Sequence, residues 1–339
     1  MLKRGTMITH SVQILKSLQY PTGLIAAASK TVSTGYNRAW LRDNVYTALG
    51  FEATGNIAEV QKTYRALLDV LNKHSSKIDW MIKQPHPKAS FRYIHARYDP
   101  LTGNEIHEEW GNKQNDAIGA ILFKIGDLKR KGIPIIRNDA DWKIIQKLVE
   151  YLEAIEYWQD ADNGMWEESE EVHASSVGAC AAGLKAVSNM VNVPNWLIEK
   201  GIETLNKLLP RESETKETDL ALLSLIYPYN IVTPEQKEAI LKNVEEKLVR
   251  NRGVIRYERD MYYNKKGEAE WCFGFPWLAI IYKELNIQHK FSFYYKKAID
   301  CLNSKGELPE LYYSGSKEHN DNSPLGWGQS LLIVASTKL

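Results

Sequence analysis

Residues 163–176 read Asn163-Gly164-Met165-Trp166-Glu167-Glu168-Ser169-Glu170-Glu171-Val172-His173-Ala174-Ser175-Ser176, and they pass into a run of small residues ending near Gly183. The pattern predicts a helix over 172–190. Small side chains let helices approach closely, which suits a position in the inner layer of a helical protein. A turn signal, Asp162-Asn163-Gly164, precedes it. Two adjacent carboxylates follow Trp166. A carboxylic acid set against an indole ring resists ionisation, because the apolar ring disfavours the charged form. Such a group can hold a proton near neutral pH and give it away. Taken alone, the segment reads more simply as a solvated acidic loop, since Ser169-Glu170-Glu171 adds charge.

Working outward, the helical period recurs on both sides. Thr9–Leu18 predicts a short amphipathic helix with Thr9 as a cap. Asp43 or Asn44 is placed to cap the next, running to about Thr54. Residues 57–73 carry Val60, Tyr64, Leu67, Leu68 and Leu71 at helical spacing. Pro85 and Pro87 mark a loop, with a short extended piece at Phe91–Ile94. Further helices are predicted near 117–124, 140–157, 195–208, 218–227, 234–249, 272–285, 292–303 and 324–336. Thr233-Pro234 and Ser323-Pro324 each offer a cap followed by Pro at the first helical position. About twelve helices and almost no strand predict an all-α protein. An α/α toroid, six inner helices ringed by six outer ones, fits that number. A helical-repeat solenoid is the rival, but no fixed-period repeat is present. No linker or composition shift divides residues 1–339, so one domain is expected.

Among the 339 residues, Lys and Arg number 43 and Asp and Glu 42. So balanced a chain has no field to recruit nucleic acid or an acidic membrane. No apolar run approaches a membrane span, and no leader is expected at Met1–Gly5. Cys180, Cys272 and Cys301 lie far apart, without metal spacing, and suggest buried free thiols in a reducing, cytoplasmic setting. Ten Trp and 18 Tyr against 7 Phe give many flat faces with a polar handle, which suit sugar rings as well as a large core.

Other loops hold polar residues that could carry chemistry. In Trp40-Leu41-Arg42-Asp43, an Arg beside an Asp can make forked hydrogen bonds to vicinal hydroxyls, or a helix-capping ion pair. Trp110-Gly111 is followed by Gln114, Asn115 and Asp116. Arg256-Tyr257-Glu258-Arg259-Asp260 reads locally as a charged loop. Glu310 stands among apolar and aromatic residues, with Trp327 beyond it. Two carboxylates across a cleft make a glycosidase pair, one protonating the leaving oxygen and the other activating water or attacking the sugar. In an extended loop consecutive side chains point opposite ways, so Glu167 and Glu168 should not share one role. His173 reads as a polar inner-wall residue and not a metal ligand. No GxSxG, HExxH, Walker or dinucleotide fingerprint is evident.

Together these motifs resemble glycoside hydrolase family 15, the glucoamylase family, and the related domain of phosphorylase kinase regulatory subunits. The resemblance runs in motif order from Tyr36 to Ala335. It implies an (α/α)6 barrel and an inverting mechanism, whose two carboxyl groups stand about 6.5–9.5 Å apart. It implies Glu167 as general acid and Glu310 as general base. It implies that Arg42, Asp43 and Arg256 hold the terminal sugar, and that Glu168 contributes to binding. Trp40, Trp110, Trp166, Tyr257 and Trp327 complete the expected binding set. No metal or organic cofactor is implied, and the expected partner is a small oligosaccharide, with oligomeric state open. Two departures stand out. Ser169-Glu170-Glu171 is an insertion relative to the compact fungal segment. The N-terminal β-sandwich domain of many microbial members is not expected here.

Overall fold

Helix α2 (Leu41–Ala53) is buried at ten of its thirteen positions. A helix hidden on every side belongs in an inner layer. The computed structural model, which describes residues 4–108 and 110–339, shows six such inner segments alternating along the chain with outer ones. The chain runs outer α1 (Arg4–Leu18), inner α2, outer α3 (Ile57–Lys73) with α4 (Ser75–Lys83), inner α5 (Asn115–Arg130) and outer α6 (Asp139–Ala154). It continues through inner α7 (Ala174–Val187), outer α8 (Asn195–Leu208), inner α9 (Leu223–Ile226) after a 3-10 turn, and outer α10 (Pro234–Lys247). Inner α11 (Gly274–Glu284), outer α12 (Gln288–Asp300) and inner α13 (Gly326–Thr337) finish it. The inner helices touch in the order α2–α5–α7–α9–α11–α13 and back to α2. This closed ring is an (α/α)6 barrel.

Closure is sealed by small groups. The Gly50 N–H donates to Ser330 Oγ at 2.7 Å, and that hydroxyl donates to the Tyr46 carbonyl at 2.7 Å. The α5–α7 contact depends on glycine. A Cβ on Gly119 would meet the Ala179 backbone carbon at 2.3 Å, and one on Gly183 would meet the Gly119 carbonyl oxygen at 2.5 Å. The small-residue run therefore does set an inner helix against its neighbour. Buried ion pairs tie α2 to α5 near both ends, Arg42–Asp116 at 3.2 Å and Lys124–Glu52 at 2.9 Å.

All six inner segments run the same way, so one rim collects their N-terminal ends. Two short antiparallel ladders pin the loops above that rim. β1 (Ala39–Trp40) pairs with β2 (Arg97–Tyr98), Trp40 opposite Arg97. β3 (Glu270–Trp271) pairs with β4 (Leu311–Tyr312), Trp271 opposite Leu311.

Several local expectations give way to tertiary demands. Thr9 lies inside α1, which starts at Arg4. α2 starts at Leu41, and Asn44 serves Ile25 and Trp40 backbone groups instead of capping. Thr233 forms a full capping box with Gln236. Ser323 does not repeat it, because α13 begins only at Gly326, and Ser323 Oγ accepts from Asn303 Nδ2. Residues 218–227 fold as a 3-10 turn and a single helical turn, capped by Asp219. Phe91 lies in a 3-10 turn, not a strand. α4 falls just before the prolines that mark the loop and is not evident from the sequence. The three cysteines are free and buried.

Gly119→Ala should lower unfolding stability by about 1–3 kcal/mol, the usual cost of overpacking, because only backbone lies in its way. Gly5→Ala, with nothing within 4 Å of the added methyl, should stay within about 0.5 kcal/mol. Denaturant midpoints of the two variants check this.

Candidate active site

A pocket of about 460 Å³, counting its open mouth, sits at the rim of inner N-termini. Trp166, Trp271, Phe273 and Trp327 give it an aromatic wall, and Tyr36 and Trp40 add to it. Arg42, Asp43, Glu167, Arg256 and Glu310 supply its polar groups. The aromatic rings brace one another: Trp327 stacks on Tyr46 at 4.3 Å and on Phe273 at 4.9 Å between centroids. Helix N-termini carry partial positive charge, so this rim favours carboxylates.

Glu167 is delivered by a tight loop. Asn163 closes it, its Nδ2 donating to the Glu168 carbonyl at 2.6 Å while its Oδ1 accepts from the Lys113 N–H at 3.0 Å. Gly164 takes φ of +63°, and a Cβ there would strike the His173 ring at 2.7 Å. Glu167 itself has φ of +64°, a left-handed conformation uncommon for a residue with a Cβ. Its carboxylate accepts from Gln114 Nε2 at 2.8 Å, from Arg42 Nη2 at 3.4 Å and from the Trp110 indole N–H. Gln114 is aimed by Arg42, which donates to its Oε1 at 2.8 Å. Gly111 permits this approach, since a Cβ there would lie 2.7 Å from the Glu167 carbonyl oxygen.

Glu168 turns elsewhere. Its Oε1 accepts from Tyr257 OH at 2.6 Å and Arg256 Nη2 at 3.0 Å, and its Oε2 from Lys216 Nζ at 2.6 Å. The two glutamates thus separate, through the left-handed turn and not through an extended strand. Arg256 is no solvated loop residue: it is 3% exposed and forks onto Asp260 at 2.6 and 2.7 Å. Trp166 packs among Trp271, Phe273 and Trp327, and its N–H donates to Asp219 at 2.7 Å. The indole that binds Glu167 is that of Trp110.

Across the pocket, Glu310 is 1% exposed. Its Oε2 accepts from Asn322 Nδ2 at 2.7 Å and from Asn320 Nδ2. Burial raises its pKa, against the pull of Asn322, Asn320 and Tyr36. Tyr36 OH also meets Tyr262 OH at 3.1 Å. Asp43 lines the pocket, and burial lifts its pKa to about 7 although Arg42 opposes the shift. Trp271 Nε1, Trp327 Nε1 and Arg42 Nε are buried donors with no hydrogen-bond partner among the described residues. Buried donors are normally satisfied, so these three stand out as exceptions.

Of the expected site residues, Trp40, Arg42, Asp43, Trp166, Glu167, Arg256, Glu310 and Trp327 share the pocket wall. Trp110, Glu168 and Tyr257 stand outside that wall: Trp110 bonds to Glu167, Glu168 to Arg256, and Tyr257 to Glu168. His173 is buried at the position before α7, where its side chain makes no capping bond, and it lies 3.5 Å from Glu212. Tyr36, Trp271, Phe273, Asn320 and Asn322 were not singled out by sequence reasoning as site residues. The paired amides after Glu310 offered a signal, because a buried carboxylate needs donors.

Asp43 gives a pH prediction. Its proton is retained in the folded protein up to about pH 7, whereas the ordinary value is 3.8. The folded state therefore binds more protons across that window, and this group's contribution to stability falls as pH rises through it. Asp43→Asn should gain on the parent by up to about 4 kcal/mol between pH 4 and pH 8. Melting curves of both proteins at the two pH values check it.

Comparison with known proteins agrees with this architecture. A solved glycosidase superposes with a TM-score of 0.85 at 20% identity, covering 99% of this chain and 96% of that one. Glucoamylase from Saccharomycopsis fibuligera superposes at 0.71 and 13% identity, covering 99% and 94%. Identity this low speaks for the fold. In sequence, the phosphorylase b kinase regulatory subunit alpha, skeletal muscle isoform, of Oryctolagus cuniculus is 27% identical over 391 residues, 93% of this chain. The chain spans about a third of the length of such relatives, 31% in that case. The model of glycosyl hydrolases family 15 matches residues 3–195. The chain, with its closed ring of inner helices and the pocket on their N-terminal rim, belongs to glycosyl hydrolases family 15.

Proposed function

We propose that this protein is an exo-acting, inverting α-glucoside hydrolase that releases glucose from the non-reducing ends of short α-glucans. The observation that carries this reading is the presence of Glu167 and Glu310 on the wall of one pocket with Arg42, Asp43 and Arg256. Glu167 is the general acid, protonating the glycosidic oxygen. Glu310 is the general base, deprotonating a water that attacks the anomeric carbon from the opposite face. A base of raised pKa accepts a proton more readily, which fits the burial of Glu310. Arg42, Asp43 and Arg256 on the wall fit the hydroxyls of one sugar ring. The aromatic wall fits its apolar face. A pocket at the rim suits release from a chain end, and within this reading short α-1,4- or α-1,6-linked oligosaccharides rank above granules, and above trehalose. Free buried thiols favour a cytoplasmic setting.

A second reading rests on the curated relatives, which are kinase regulatory subunits. In it the same pocket binds a glucan without cleaving it. The retention of both carboxylates weighs against this.

Glucose release from maltose, isomaltose and trehalose separates the two. Glu167→Gln and Glu310→Gln should each lower kcat/KM by about 10²–10⁴-fold. Activity should fall as pH drops through the raised pKa of Glu310, since only the ionised form takes a proton. The acid limb of the profile should therefore lie above the ordinary value of 4.5. Sugar binding without turnover of any glucoside would favour the regulatory reading.

A further inference from the structure

We propose that Lys216 is a positioning residue for the sugar on the leaving-group side of the scissile bond. The inference rests on the hydrolase reading above and extends it to a residue outside the pocket wall. Lys216 Nζ lies 2.6 Å from Glu168 Oε2, 3.9 Å from Asp219 and 4.1 Å above the Tyr257 ring. Its side chain is only 11% exposed. Arg256 and Tyr257 hold the other oxygen of the same carboxylate. Lys216 is thus the sole donor to Oε2 among the described residues, and it fixes the plane of the Glu168 carboxylate.

The location gives the role its direction. Glu168 follows the acid Glu167 in the chain, yet it stands outside the wall that encloses the terminal-sugar pocket, and it is 24% exposed. A polar group beside the proton donor and beyond that pocket faces the space of the second sugar. Lys216 also links this group to the wall, because Asp219 accepts from the Trp166 indole at 2.7 Å.

The loop that presents Lys216 is held by its neighbours. Its carbonyl accepts from the Glu212 and Ser213 N–H groups at 3.0 and 3.2 Å, and its own N–H donates to Ser213 Oγ at 3.2 Å. Thr215 donates to Glu171 through its N–H at 3.1 Å and its hydroxyl at 2.6 Å. Glu171 belongs to the Ser169-Glu170-Glu171 segment. That segment therefore clasps the Lys216 loop to the loop that carries Glu167 and Glu168. A bond from Asp162 to Glu171, with Asp162 N–H on the Glu171 carbonyl at 2.8 Å, closes the clasp.

Two substrates that share a terminal glucose but differ in leaving group test this. Maltose places a sugar beside Glu168, whereas α-glucosyl fluoride places a single atom there. Lys216→Met should lower kcat/KM on maltose about tenfold or more, largely through KM, and at least about fivefold more than on the fluoride. Lys216→Arg should restore maltose turnover to within about threefold of the parent. Turnover of the fluoride reports that each variant is folded. Equal losses on the two substrates, or no loss on maltose, would overturn the role of Lys216. A parent protein that turns over neither substrate would instead overturn the hydrolase reading, and this inference with it.

Discussion

A single buried guanidinium, that of Arg42, holds the site together. It is 4% exposed and reaches Asp116 on α5, the Gln114 amide and the Glu167 carboxylate. Two inner helices and the loop before a third are joined through it. Both partners of the Arg42–Asp116 pair are buried, and removing one partner of such a pair leaves an uncompensated charge, at a cost of about 3–5 kcal/mol. The same guanidinium aims Gln114 through a separate bond at 2.8 Å, so it also sets where Glu167 sits. One side chain here serves both the packing of the barrel and the placing of Glu167.

The architecture explains why so many charges gather at one rim. Because outer and inner helices alternate, every inner helix runs the same way. Their N-terminal ends face one mouth and favour carboxylates there. Their C-terminal ends face the other, where Lys124 is buried against Glu52 and Asp127. Among the loops above the first rim, Glu167 is left-handed between a glycine turn and bonded side chains. A conformation of that kind costs of order 1–3 kcal/mol and persists only when its surroundings enforce it. Asn163, Gly111, Gln114 and Trp110 supply that enforcement.

Much of this was legible in the sequence, and the reasons differ by element. Long amphipathic segments such as α3 and α6 declare themselves by period, and the small residues of α7 declare close packing. The loop motifs that flank Trp40, Trp166 and Glu310 could be picked out by residue type, and the barrel brings them to one mouth. What was hidden depends on partners distant in sequence. Asn44 looks like a cap until Ile25 is beside it. Arg256-Tyr257-Glu258-Arg259-Asp260 looks solvated until Asp260 and Glu168 enclose its arginine. Ser169-Glu170-Glu171 looks like surplus charge until Thr215 is found to bind Glu171. The left-handed turn at Glu167 has no local signature, because Gly164 supplies the only turn signal.

In the proposed hydrolysis, Glu167 and Glu310 work from opposite faces of a sugar held between them, with water entering on the Glu310 side. The configuration of the product tests this most directly. Proton NMR in the first minutes of α-glucosyl fluoride hydrolysis, before mutarotation, should show the released glucose as the β-anomer. Glucose appearing first as the α-anomer would require a covalent intermediate and would contradict an inverting reaction.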